Sequence, residues 1–343
     1  MAKIVYQNWK PGGDARSIIE QANIICREYQ AQGYDLTLRQ LFYQFVSRDF
    51  IPNTQQSYKR LGDIINKARL AGLLDWNYIT DRTRNLQSLS HWSTPSDIIY
   101  SAARSFAVDK WSGQPVRVEV WVEKEALAGI VSQAADRYDC AWFSCRGYVS
   151  QSELWGAAQR HLAYLKQGQR IVVVHLGDHD PSGIDMTRDI TDRLMMFITQ
   201  DWLNQEMPSH FGNPFVYEII KHLGDYLDTG DHGIDPGDFV GRDPITINRI
   251  ALNMDQIEEY NPPPNPTKLT DSRAEEYIAH YGDDSWELDA LEPSVLDLLI
   301  SGAISEVMNV DLYEERETHE RTEREILTAA SARWSEVQAF LEA

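Results

Sequence analysis

From residue 116 onward, strand-like and helix-like segments alternate, and this alternation restricts the fold more than any other feature of the sequence. The predicted order is strand 116–123, helix 125–138, strand 141–146, helix 150–166, strand 170–176 and a helix from about 184 to 199. Strands that alternate with helices pair in parallel, because each helix carries the chain back across the sheet. The sequence therefore predicts an α/β fold, with a parallel sheet that has helices on both faces.

Acidic residues follow two of these strands. Asp178 and Asp180 come just after the β-branched run 170–176, and Glu123 ends the strand 116–123. Residues i and i+2 of an extended chain point to the same side, and open α/β sheets bind ligands at the carboxyl ends of their strands. Neighbouring carboxylates repel each other unless a cation lies between them, and Mg²⁺ takes such oxygen ligands. The alternative is that Asp178 and Asp180 only begin a turn or cap the next helix.

The N-terminal part has the pattern of a small helical module. Apolar spacing predicts helices over 14–32, 38–48 and 57–71, followed by a strand-like piece at 74–79. This order is typical of a winged helix, a variant of the helix-turn-helix. Six cationic residues lie where a winged helix contacts DNA, namely Lys59, Arg60, Lys67, Arg69, Arg82 and Arg84. A charged, solvated helix face is the alternative interpretation.

The net charge of −20 is unusual for a nucleic-acid-binding protein, but it is unevenly distributed. Residues 1–150 hold 18 Lys and Arg against 15 Asp and Glu, a net +3, and the remainder holds 14 against 37, a net −23. The N-terminal part can therefore face DNA, although an acidic surface without a nucleic-acid partner fits the same numbers. No apolar run is long enough to span a membrane and no signal-peptide pattern is present, so we expect a cytoplasmic protein.

Taken in order, these motifs resemble a known family. The segments Glu123-Lys-Glu-Ala126 and Asp178-His-Asp-Pro-Ser-Gly183, with Gly147 after the strand between them, are similar to the Toprim domain of the topoisomerase VI A subunit and its meiotic double-strand-break relative. The nucleophile helix of that family reads Arg-x-x-Tyr-Tyr. Here the same stretch reads Arg39-Gln-Leu-Phe-Tyr43, so Tyr43 takes the nucleophile position and Phe42 replaces the first tyrosine.

The resemblance covers residues 36–291 and implies an architecture and a reaction. We expect a winged-helix DNA-binding domain at 1–112, a Toprim metal-binding domain at 113–310 and an acidic C-terminal helix at 311–343. The resemblance implies that Tyr43 attacks double-stranded DNA and forms a 5′-phosphotyrosyl link. It also implies that Glu123, Asp178 and Asp180 bind Mg²⁺, with Arg39 and Glu123 assisting catalysis. A homodimer in which Tyr43 of one subunit works at the metal of the other is implied, and a separate ATPase subunit is compatible with it.

Tyr43 needs assistance to act as a nucleophile. A tyrosine hydroxyl has a pKa of about 10, and Arg39, one helical turn away, would favour the phenolate and bind the phosphate. The alternative is that Tyr43 is a packed aromatic residue. The chain would then be a Toprim nuclease that uses metal-activated water, as phage-defence systems and mobile elements do, or a non-catalytic DNA-binding protein.

Overall fold

The centre of the chain is a four-stranded parallel sheet in the order β2-β1-β3-β4. A computed structural model describes residues 3–80, 89–206 and 245–342. The strands are β1 (Val116–Val122), β2 (Ala141–Ser144), β3 (Arg170–Leu176) and β4 (Ile245–Ala251). The α/β class and the parallel sheet expected from the sequence are confirmed.

Helices cover the sheet and also form a separate N-terminal group. Within the described residues they are α1 (Gly13–Ala31), α2 (Leu38–Ser47), α3 (Gln55–Leu70), α4 (Pro95–Ser105), α5 (Ala128–Asp136), α6 (Gln151–Leu165), α7 (Pro181–Glu206), α8 (Met254–Tyr260), α9 (Ala274–Tyr281), α10 (Pro293–Val307), α11 (Val310–Ala332) and α12 (Trp334–Leu341). Short 3-10 turns lie at Trp76–Tyr78, Glu125–Leu127 and Leu288–Ala290, and β5 (Asn265–Pro266) pairs antiparallel with β6 (Asp284–Ser285). In this described part of the chain, no helix is long and apolar enough to cross a membrane.

Both faces of the sheet are buried under helices. Val118 and Val120 of β1 belong to the core formed with α5 and α10. Trp121 of β1 and Val173 of β3 belong to the core on the other face, with α6 and α7. Nearly continuous apolar strands are typical of parallel sheets covered on both sides. This arrangement leaves the carboxyl edge of the strands as the natural position for polar side chains.

The helices α1, α2 and α3 pack around a core of their own, which includes Ile25, Phe45 and Leu61. The start of α2 predicted at residue 38 is confirmed, and Thr37 caps it: Thr37 Oγ1 accepts a hydrogen bond from the Gln40 N–H (3.2 Å), and Gln40 Oε1 accepts one from the Thr37 N–H (2.8 Å). Such a reciprocal cap fixes where the helix begins. The 3-10 turn at 288–290 joins the same core, so α2 lies against a segment that follows the sheet.

The strand predicted at 74–79 is wrong. This segment contains a 3-10 turn, and only a single bridge pairs Ile79 with Leu36. The reason is local, because Asp75 Oδ1 accepts a hydrogen bond from the Asn77 N–H at 3.0 Å and bends the chain. An alternating apolar pattern does not predict a turn that depends on one side-chain hydrogen bond.

Several predicted helices differ from the observed ones in extent. Helix α7 begins at Pro181, earlier than predicted, because proline fits the first turn of a helix. A 3-10 turn precedes α5. The single acidic helix expected over 311–343 is divided into α11 and α12, and α11 begins after Asn309, whose side chain accepts a hydrogen bond from the Leu312 N–H. The segment 215–220, whose sequence could add a further strand, lies outside the described residues.

Helix α4, expected in the N-terminal domain, packs along α11 near the other end of the chain. Ser96 Oγ donates a hydrogen bond to the Ser331 carbonyl at 2.9 Å. Just after α4, Lys110 forms an ion pair with the buried Glu320 at 2.9 Å. A helix that precedes the sheet in the sequence therefore packs against a helix that follows it.

Candidate active site

The carboxyl edge of the sheet brings Glu123 and Asp178 together. They follow the adjacent strands β1 and β3, and both are buried. Glu123 Oε2 accepts a hydrogen bond from the Asp178 backbone N–H at 2.8 Å. Asp180 lies at the start of α7, where its Oδ1 accepts a hydrogen bond from the Gly183 N–H at 2.7 Å. Asp180 thus caps a helix, and its negative charge also acts on Glu123.

Two glycines allow the loop that carries Asp178 and Asp180 to pack closely against Glu123 and Arg249. A Cβ atom on Gly183 would lie 2.1 Å from the Asp178 carbonyl oxygen. A Cβ atom on Gly177 would lie 2.9 Å from Arg249 Nη1 and 3.1 Å from Glu123 Oε2. Any side chain at either position would therefore displace the acids.

A second acidic pair completes the site. The Leu288 N–H donates a hydrogen bond to Asp178 Oδ1 at 2.7 Å, which places Glu287 and Asp289 beside that carboxylate. Lys124 Nζ lies 2.7 Å from Asp178 Oδ1 and 3.0 Å from Asp289 Oδ1, and it also pairs with Glu287. We refer to Glu123, Asp178, Asp180, Glu287 and Asp289 as the acid cluster.

Helix α2 reaches the acid cluster through Arg39. Its Nη2 lies 2.8 Å from Glu287 Oε2, and its Nε lies 3.0 Å from Asp289 Oδ2. The guanidinium carbon of Arg39 is 5.8 Å from the centre of the Tyr43 ring. The Tyr43 side chain is buried, with the residue only 4% exposed. The predicted nucleophile and its neighbouring arginine therefore lie beside acids of their own chain.

The surroundings of Tyr43 disfavour its phenolate. Burial raises the pKa of Tyr43 above its ordinary value, and Asp289 and Glu287 act in the same direction, whereas Arg39 opposes them. An arginine alone would have the reverse effect. The sequence reveals Arg39 but not the two carboxylates that outweigh it.

Negative charge is crowded within the acid cluster. The pKa of Asp178 is raised to about 8, mainly by burial; Lys124 opposes this rise, and Glu123, Glu287 and Asp289 add to it. Burial likewise raises the pKa of Glu123. The pKa of Lys124 is raised by its carboxylate neighbours although burial opposes its charge. The arrangement favours positive charge at its centre.

The donors present fit a hard divalent cation. Five carboxylates face three cationic side chains whose charges act on them, Lys124, Arg39 and Arg249, so ionisation of all five leaves two negative charges in excess. Among the described residues, no group of three or more His, Cys, Asp or Glu side chains has the spacing of a metal cage. Mg²⁺ often takes only one or two carboxylates and retains water, and a pair such as Glu123 and Asp178 is compatible with that mode of binding.

The predicted DNA-contacting residues have different environments. Those exposed on α3 are Lys59, Arg60 and Lys67, and Arg60 forms an ion pair with Asp14. Arg82 and Arg84 lie outside the described residues. The structure thus exposes three cationic side chains on α3, with Asp63 exposed between Lys59 and Lys67, and the charge of Arg60 is already paired.

Arg69 is held inside the fold. Its guanidinium stacks 4.4 Å from the Trp76 ring and donates hydrogen bonds to the carbonyls of Trp76 (3.1 Å) and Ile79 (3.3 Å). It also lines a cavity of about 360 Å³ between the N-terminal helices and the start of the loop after β1, together with Arg39. Arg69 therefore shapes this cleft and holds the turn after α3.

The two histidines near the acids are structural. His179 points away from the acids, because its Nδ1 lies 2.7 Å from the Tyr277 hydroxyl and its ring packs against Trp286. His175 Nδ1 lies 2.9 Å from Thr187 Oγ1. The Nδ1 atom of each imidazole therefore has its partner outside the acid cluster.

The sequence interpretation did not single out Lys124, Glu287, Asp289 and Arg249 as site residues. The available signals were weak: Lys124 adjoins Glu123, and Glu287-x-Asp289 repeats the spacing of Asp178-x-Asp180. No model of a known protein family matches this sequence, and no curated protein matches it.

Proposed function

We propose that the chain is a Mg²⁺-dependent DNA-cleaving enzyme that works by transesterification through Tyr43, in the manner of the topoisomerase VI A subunit. One observation carries this proposal. A continuous series of contacts runs from Arg39 through Asp289 and Lys124 to Asp178, and so links the Tyr43 helix to the acids at the sheet edge. A tyrosine, an arginine and buried carboxylates in one site are the groups that phosphodiester transesterification needs.

Each side chain has a role in this reaction. Glu123 and Asp178 would hold the metal, and Arg39 can bind a phosphate through two parallel hydrogen bonds from its guanidinium. The Tyr43 oxygen attacks the phosphorus, which forms the 5′-phosphotyrosyl bond and releases the 3′-hydroxyl. Bound Mg²⁺ would offset the negative charge that builds up on the phosphate oxygens in the transition state.

The raised pKa of Tyr43 sets a requirement for activation. Glu287 and Asp289 oppose loss of the phenol proton, whereas Arg39 favours it. Positive charge added near those acids weakens their effect, although burial of the side chain still opposes the phenolate.

The larger arrangement in the proposal follows the family resemblance. Helices α1 to α3 act as a winged-helix module whose face with Lys59, Arg60 and Lys67 meets duplex DNA. The sheet and its helices act as a Toprim domain, in a cytoplasmic homodimer that can work with a separate ATPase subunit. The exposure of the three basic side chains on α3 supports this orientation.

A second candidate is a Toprim-like nuclease in which metal-activated water attacks the phosphodiester. The observation in its favour is the burial of Tyr43, which gives its oxygen little access to DNA in this arrangement. The acid cluster alone would then carry the reaction.

Incubation of the protein with supercoiled plasmid and Mg²⁺, followed by detergent and protease, separates these candidates. Transesterification predicts nicked or linear DNA with a covalently attached peptide, and loss of both in Tyr43→Phe. Tyr29→Phe is the matched control, because Tyr29 is a buried tyrosine in the same helical core. Cleavage by Tyr43→Phe without attached peptide would favour metal-activated water. Cleavage unchanged by Asp178→Ala with Asp180→Ala would contradict both candidates.

A further inference from the structure

The lysine after Glu123 occupies the centre of the acid cluster. Its ammonium group contacts three carboxylates, those of Asp178, Glu287 and Asp289. Its side chain is 17% exposed, and that of Asp289 is fully buried. Such burial of charge is tolerated only when the charges are paired, so each group depends on the others.

The backbone at the end of β1 explains how Glu123 and Lys124, which are adjacent in the sequence, contact different parts of the acid cluster. Lys124 is extended, with φ −104° and ψ 127°. Consecutive side chains of an extended segment point to opposite sides. Glu123 therefore turns towards the Asp178 N–H, and Lys124 turns towards the segment that carries Glu287 and Asp289.

The ammonium of Lys124 and a divalent cation would repel each other in this site. Without a metal, the ammonium offsets the mutual repulsion of three nearby carboxylates. A divalent cation at Glu123 and Asp178 would lie close to the ammonium, and like charges repel strongly in a poorly solvated site. Asp178 is shared by the two positions, so it cannot satisfy both cations fully.

We propose that Lys124 is a displaceable counter-ion, which holds Asp178, Glu287 and Asp289 together in the metal-free chain and leaves them when a divalent cation binds at Glu123 and Asp178. This inference rests on the Mg²⁺ dependence of the proposed function. It assigns Lys124 a positioning role, because it acts through the carboxylates.

Replacement of Lys124 by methionine tests the competition. Lys124→Met is expected to lower the unfolding temperature of the metal-free protein and to tighten Mg²⁺ binding, measured by calorimetry, at least about tenfold. A purely structural lysine would give weaker metal binding, since the cluster would lose its order. The control is Lys110→Met, which removes another half-buried lysine, the partner of Glu320, and is expected to leave the Mg²⁺ affinity unchanged. Unchanged or weaker Mg²⁺ binding by Lys124→Met would overturn the proposal.

A second measurement uses the unaltered chain and so does not depend on how Lys124→Met folds. Acetylation of lysines, followed by mass spectrometry, should show Lys124 protected without metal and several-fold more reactive with saturating Mg²⁺. The reactivity of Lys110 should not change. DNA cleavage without any Mg²⁺-linked change at Lys124 would overturn this inference and leave the proposed function standing. A Mg²⁺-linked release of Lys124 without cleavage would support the inference and contradict the proposed function.

Discussion

At the scale of single residues, the site depends on two glycines, Gly177 and Gly183, as much as on the acids, because a side chain at either position would displace them. The Asp178–Gly183 loop folds back on itself so closely that the carbonyl of Asp178 fills the space where a Cβ atom of Gly183 would lie. The neighbouring Gly177 leaves room for Arg249 and Glu123. The acids are held in place by this tight backbone, which makes the loop sensitive to a single methyl group.

A matched pair of glycine substitutions checks this sensitivity. Gly183→Ala is expected to lower the free energy of unfolding by about 1–3 kcal/mol, because the new methyl group collides with backbone. Gly156→Ala, inside α6 with nothing near the new Cβ, is expected to raise it by about 0.5–1 kcal/mol. Urea unfolding of both variants provides the values. A Gly183→Ala protein as stable as the unaltered chain would show that the loop is looser than described.

At the scale of elements, helix α2 is joined to the segment after β6 by a buried acid with two cationic partners. Asp289 contacts Lys124 through Oδ1 and Arg39 through Oδ2. Loss of one partner leaves a buried carboxylate with only one cation, which costs more than loss of an exposed pair.

Substitution of two arginines compares the loss of a buried acid's partner with the loss of an exposed ion pair. Arg39→Met is expected to lower the free energy of unfolding by about 1–3 kcal/mol, since Asp289 is then left with Lys124 alone. Arg48→Met, which breaks the exposed pair with Glu28, is expected to cost less than about 1 kcal/mol. Thermal and urea unfolding measure both effects. Equal losses for the two variants would argue against a tight junction between α2 and the acid cluster.

The elements also show what the sequence can predict. Strands β1 and β3 and the acids that follow them are readable, because β-branched runs and their polar ends are local features. Glu287 and Asp289 are not, because they reach Asp178 through a long-range contact of the Leu288 N–H that no periodicity records. The turn at Trp76–Tyr78 is not predicted, for a local reason. A hydrogen bond to one side chain, that of Asp75, bends a segment whose apolar pattern is typical of a strand.

At the scale of the whole molecule, the position of Tyr43 bears on how subunits would share the reaction. The family resemblance implies that Tyr43 works at the metal of a partner, whereas the contacts of Arg39 with Glu287 and Asp289 occur within one chain. These contacts favour a site completed by a single subunit.

Mixing two inactive variants distinguishes the arrangements. Tyr43→Phe and Asp178→Ala chains, unfolded together and refolded, are expected to cleave no more plasmid than either alone, because no single subunit is complete. A site shared between subunits would instead restore nicking, with the peptide adduct on the Asp178→Ala chain. Each variant refolded with unaltered chain serves as the control for recovery.

The pairing of α4 with α11 has a consequence for the protein during its synthesis. Ser96 and Ser331, which are joined by a hydrogen bond, are 235 residues apart. A ribosome that adds about 5–20 residues per second leaves α4 without its partner for roughly 10–50 s. Throughout that interval the nascent chain exposes one side of α4, so chaperones that shield such surfaces have their longest opportunity to act there.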